Sequence, residues 1–130
     1  MTASIIFDFD GTLAVGNGPV LAYARQLAAV APDGFLERVE AGLAEFEAGS
    51  SRFRDGYDVV GSLATADGVT AAELSGAYAR SRELLGTEDA PVATMPGLDD
   101  FLAELGRHAR LVLVLGVLLF CLLLWIAEPI

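Results

Sequence analysis

Hydrophobic positions along this chain change period several times, and each change marks an element. Residues 4–9 form a short run rich in isoleucine and phenylalanine that stops at the turn dipeptide Asp10-Gly11, which predicts a strand. The segment Val15-Gly16-Asn17-Gly18-Pro19 reads as a loop whose proline opens a helix over 20–30, closed by Ala31-Pro32-Asp33-Gly34. Apolar residues then recur near helical spacing at Phe35, Leu36, Val39, Leu43 and Phe46, with charges on the other face, so 35–48 is predicted helical and ends at Gly49. Phe53, Tyr57, Val60 and Leu63 give a third helical stripe within 50–63. Thr70-Ala71-Ala72-Glu73 has the form of a capping box and predicts a helix over 71–85. A linker containing Pro91 follows over 87–95, and Pro96-Gly97 leads into an amphipathic helix over 98–105.

The last part of the pattern has no period. From Leu111 through Ala127 there are seventeen residues without a charge, eight of them leucine. Two readings fit. As a helix the run would extend about 25 Å, near the ~30 Å of a hydrocarbon layer. Arg107, His108 and Arg110 just before it would then keep the N-terminal part on the cytoplasmic side. Alternatively, residues 111–114 are a strand buried on both faces, hence continuously apolar, and the remainder is an altered ending. Seventeen residues exceed a typical strand of about 5–6.

Composition narrows the partners. In 130 residues there are 18 acidic side chains against 8 cations, giving a formal charge of −10, and every cation is an arginine. Such a chain makes a poor partner for nucleic-acid phosphates, which need a basic face. The single cysteine, Cys121, rules out an intramolecular disulfide and a cysteine-based metal cluster. The N-terminus has no basic region and no uninterrupted apolar stretch of the secretory kind, and a cytoplasmic location is expected. The mean hydropathy of +0.52 owes much to the apolar ending.

Candidate chemistry gathers at the first strand. Side chains two apart on a strand point to the same side, so Asp8 and Asp10 would share a face as the strand breaks into the Gly11 turn. Phosphate esters react slowly with water. A carboxylate can divide the work by attacking phosphorus, while a second acid protonates the leaving oxygen and later activates water. Magnesium would screen the repulsion between carboxylate and phosphate, and it prefers oxygen ligands. Elsewhere, Arg52 and Arg54 could meet an anion but fit a solvated face better, as do Arg80 and Arg82. His108 has no identifiable acid or nucleophile partner and reads as a helix-ending or membrane-flanking residue.

At Asp8-Phe9-Asp10-Gly11-Thr12, after a hydrophobic strand, the chain resembles the haloacid dehalogenase-like (HAD) hydrolase superfamily, whose first motif is Asp-x-Asp-Gly-Thr. The resemblance implies a Rossmann-like, doubly wound parallel α/β core with an inserted helical cap. It divides the chain into a partial core at 1–14 and 96–115, a cap at 15–95, and the apolar tail at 111–127 as a candidate transmembrane helix overlapping the second core strand. It implies Asp8 as nucleophile and metal ligand. Asp10 would be the general acid/base and give the metal a backbone carbonyl, with Gly11 and Thr12 beside the phosphate. Bound Mg2+ and a small phosphorylated metabolite as substrate follow. An acid at position 10 favours phosphoryl transfer over dehalogenation. The later motifs of the superfamily do not match. Leu115 stands where a Ser or Thr is expected, no Ser or Thr follows Thr94, there is no lysine, and Glu128 is the sole acid after Glu104. The expectation is an incomplete member with impaired turnover, or else a non-catalytic, membrane-anchored remnant or interaction protein.

Overall fold

The computed structural model describes residues 2–8 and 13–114. These form nine elements: β1 (Ala3–Asp8), β2 (Ala14–Val15), α1 (Gly18–Leu27), α2 (Phe35–Glu47), α3 (Gly56–Ala66), α4 (Ala71–Glu83), β3 (Ala93–Thr94), α5 (Leu98–Leu105) and β4 (Ala109–Val114). The fold is mixed α/β, and the chain divides into a discontinuous unit, Met1–Gly16 with Ala93–Ile130, and a helical unit, Asn17–Val92.

In the discontinuous unit β1 and β4 pair in parallel, with Ile5 opposite Leu111 and Asp8 opposite Val114. Parallel neighbours need a crossover connection, and α5 lies on the path into β4. Gly97 precedes α5 with φ of 78°, a left-handed conformation that glycine adopts without a Cβ clash. Antiparallel β2 and β3, two residues each, tie together the points where the chain leaves this unit and returns to it. Apolar surface remains open here: Ile6 is 37% exposed, Phe101 55% and Leu113 53%.

The helical unit carries the main core. Leu27 from α1, Phe35 and Val39 from α2, and Val59 and Val60 from α3 are fully or almost fully buried. Burying side chains of this size is worth about 1.5–3 kcal/mol each. Two glycines permit close approaches. A Cβ on Gly18 would collide with the Pro91 carbonyl oxygen, and one on Gly42 would lie 2.7 Å from Val59 Cγ1. The capping box forms as the sequence predicts: the Thr70 hydroxyl accepts from the Glu73 backbone N–H, and the Glu73 carboxylate accepts from the Thr70 backbone N–H at 2.8 Å. Arg38 and Asp67 form an ion pair between α2 and the end of α3.

Two helix expectations change, and the strand reading of 111–114 holds. The helix placed over 50–63 begins at Gly56, because Asp55 caps it by accepting the Asp58 backbone N–H at 2.8 Å and ends helical geometry upstream. The first helix stops at Leu27 instead of residue 30. Residues 111–114, which the two readings of the apolar run shared, belong to strand β4. That removes four residues from any helix over 111–127; Leu115 through Ala127 lie outside the described residues. Among the described residues no helix is long and apolar enough to cross a membrane.

Candidate active site

Strand β1 alternates as a half-buried strand should. Ile5 and Phe7 face inward, while Ser4, Ile6 and Asp8 face outward. The last of these, Asp8, is therefore presented at the carboxyl end of a parallel pair, the end of open α/β sheets where ligands bind. Asp8 itself is exposed at this strand end. Asp10, Gly11 and Thr12 lie outside the described residues.

Arg110 is placed away from Asp8 along the parallel pair. Arg110 is opposite Ser4, four residues back along the register from the Asp8–Val114 pair. At ~3.3 Å per residue this is about 13 Å along the strand, too far for a direct ion pair. Arg107 donates to Glu104 at 2.8 Å. His108 corrects one sequence expectation, since its Nε2 lies 3.3 Å from Glu104 Oε1, a carboxylate one helical turn upstream. Among the described residues no group of three or more His, Cys, Asp or Glu side chains is arranged to hold a metal ion.

The helical unit contains a separate open cleft of about 730 Å³. One side is the start of α3. There the Asp58 carboxylate accepts from the Arg54 backbone N–H at 3.0 Å, the Ser62 hydroxyl at 3.2 Å and the Arg54 guanidinium at 3.4 Å. These donors, the Arg54 backbone N–H foremost, hold the Asp58 carboxyl below its ordinary range. The lining is also aromatic. Tyr23, Tyr57 and Tyr78, one from each of three helices, have ring centroids 5.7–6.2 Å apart. Burial, and secondarily the neighbouring Tyr78, pushes the Tyr23 phenol above its usual pKa.

Sequence reasoning missed this cluster. Its one available signal was that the chain has three tyrosines and all fall in predicted helices. The arginines expected on a solvated face do have partners: Arg52 reaches Glu45 at 3.3 Å and lies over the Phe53 ring, while Arg80 donates to Gln26 at 3.1 Å. Compared with known proteins, the chain matches no family model and no curated protein.

Proposed function

We propose that this chain is a phosphatase-type hydrolase of the HAD-like kind, acting on a small phosphorylated metabolite through an aspartyl-phosphate on Asp8. The observation that carries the reading is the position of Asp8 at the carboxyl end of β1, in parallel register with β4, directly before the sequence Phe9-Asp10-Gly11-Thr12. A helical unit inserted between β2 and β3 accords with a cap.

In the proposed reaction an Asp8 carboxylate oxygen attacks phosphorus, and the new O–P bond forms as the bond to the leaving oxygen breaks. Asp10, protonated at the outset, gives its proton to that oxygen. Asp10 then takes a proton from water as the water attacks phosphorus, the Asp8–phosphorus bond breaks, and inorganic phosphate leaves. Gly11 and Thr12 would lie beside the phosphate. Asp8 is a hard oxygen donor of the kind magnesium takes, and magnesium commonly uses one or two protein carboxylates and retains waters. Asp8 and the Asp10 carbonyl would hold the ion. When bound, it lowers the repulsion between carboxylate and phosphate.

Electrostatic support is thin. The sequence has no lysine, has no Ser or Thr after Thr94, and places Arg110 at the far end of the sheet. One well-placed donor is worth roughly 3–4 kcal/mol, so lacking several of them implies slow turnover by this chain alone. The test is hydrolysis of 4-nitrophenyl phosphate with magnesium by the purified protein and by Asp8→Asn. The proposal expects slow, magnesium-dependent turnover that Asp8→Asn abolishes. Turnover unchanged in Asp8→Asn, or none above buffer in the unsubstituted protein, refutes it.

A further inference from the structure

We propose that the tyrosine-lined cleft of the helical unit is a binding site for an organic ammonium ion carrying an apolar body. Its volume of about 730 Å³ is in the ~300–1,000 Å³ range of small-ligand sites. All three tyrosines of the chain converge on it, although they are far apart in sequence and come from α1, α3 and α4.

Charge selects the ligand. Asp55 and Asp58 line the cleft, and Arg54 is its one cationic lining residue. The Arg54 side chain is 86% exposed and meets Asp58 at 3.4 Å, whereas the Asp58 side chain is 20% exposed. Two carboxylates against one guanidinium leave the lining with a net negative charge. An anion entering the cleft would meet both carboxylates. A cation would meet them together with the ring of Tyr78, which is 43% exposed, and aromatic rings attract ammonium groups. Tyr78 already engages a cation, since the Arg82 guanidinium lies 5.7 Å from its ring centroid. The net charge of −10 adds long-range attraction of the same sign preference.

Shape supplies room for the body of the ligand. The α3 side of the cleft is lined by Gly61 and Ala66, and a Cβ on Gly61 would meet nothing within 4 Å. Leu74 adds an apolar side chain to the lining. The site lies wholly within the helical unit and uses neither Asp8 nor magnesium, so its success or failure is separate from that of the proposed hydrolysis.

Ring resonances of the tyrosines, followed by NMR during titration without magnesium, test the proposal on the full chain. The probes are 2-phenylethylammonium, 2-phenylethanol and phenylacetate, which share a ring and differ in charge. The expected result is saturable shifts with the ammonium probe, weaker shifts with the alcohol and none with the carboxylate. Tyr78→Ala should weaken ammonium binding by roughly fivefold or more, and Tyr78→Phe should retain it. Asp58→Asn should weaken the ammonium probe and leave the alcohol unchanged. No saturable shift with the ammonium probe, phenylacetate binding as well as the ammonium, or an affinity that neither Tyr78→Ala nor Asp58→Asn lowers, overturns the proposal.

Discussion

Replacing Gly42 by alanine tests how closely α2 and α3 are packed, because two effects of opposite sign meet at that position. Gly42 lies within α2, where alanine is favoured over glycine by about 1 kcal/mol through helix propensity. The added Cβ would lie 2.7 Å from Val59 Cγ1, 3.6 Å from Leu63 Cδ1 and 3.8 Å from Phe53 Cε2. Only the first contact is too close. Carbon pairs are most favourable at ~3.5–4.0 Å, so about 1 Å must be absorbed. Val59 is fully buried, and overpacking of that kind costs about 1–3 kcal/mol. The clash outweighs the propensity, and Gly42→Ala should destabilise the helical unit by about 1 kcal/mol.

Val59→Ala alone should cost about 2 kcal/mol, from two lost methyl groups and the cavity they leave. In the double variant the methyl added at Gly42 enters that cavity and the propensity gain survives. The double variant should then be about 1 kcal/mol less stable than the parent, against about 3 kcal/mol for the two single effects summed. Urea unfolding followed by far-ultraviolet circular dichroism reads this helical signal directly. Additivity of the two substitutions to within about 0.5 kcal/mol, or a stabilising Gly42→Ala, would falsify the close α2–α3 contact.

Other expectations concern caps and titrating groups. Thr70→Ala removes the acceptor for the Glu73 N–H and should lower the stability of the helical unit by about 1 kcal/mol in the same assay. The Glu73 carboxyl is held below its ordinary pKa, first by the Thr70 backbone N–H and then by the Thr70 hydroxyl. A carboxyl depressed in the folded state stabilises it above the unfolded value of about 4 and loses that contribution as pH falls through the folded value. The stability gap between the parent and Glu73→Gln should therefore be present near neutrality and close in acid; a gap independent of pH would contradict the cap. For Tyr23 the sign reverses. A phenol raised in the folded state favours folding below the unfolded value of about 10 and loses that contribution as pH rises. Ultraviolet titration should show a late-ionising phenol that Tyr23→Phe removes.

Local chemistry explains which features could be read before the structure. The Thr70–Glu73 cap is encoded in four consecutive residues and needs no tertiary contact, so it forms as expected. At 53–63 the apolar spacing misled, because Phe53 continues the stripe of Tyr57, Val60 and Leu63 although it precedes the helix; Asp55 three residues before Asp58 was the overriding signal. Strands β2 and β3, two residues each, are too short to show a period. Residues 111–114 fitted both a long apolar helix and a second core strand, and the strand reading holds because β1 offers a parallel partner to Ala109–Val114. The tyrosine cluster depends on how three helices assemble, which no local pattern contains.

Candidate chemistry was readable only in part for the same reason. A motif of five adjacent residues suggests a nucleophile, and the register of β1 with β4 shows only that Asp8 ends the parallel pair. The charges that a phosphoryl-transfer site needs must arrive from other strands, and the unit containing Asp8 keeps its Arg110 at the opposite end of the sheet. Its uncovered apolar residues, Ile6, Phe101 and Leu113, are unusual for a parallel pair, which is ordinarily covered on both faces.

Direct detection of a phosphoryl group on Asp8 is the most searching measurement. The protein would be incubated with magnesium and acetyl phosphate, reduced with borohydride to trap an acyl phosphate, and digested for mass spectrometry. The account predicts conversion of Asp8 to homoserine in a magnesium- and phosphoryl-donor-dependent manner, with Asp10 unmodified. Reduction at Asp10 or elsewhere with Asp8 untouched, or no trapped residue while hydrolysis proceeds, would contradict it.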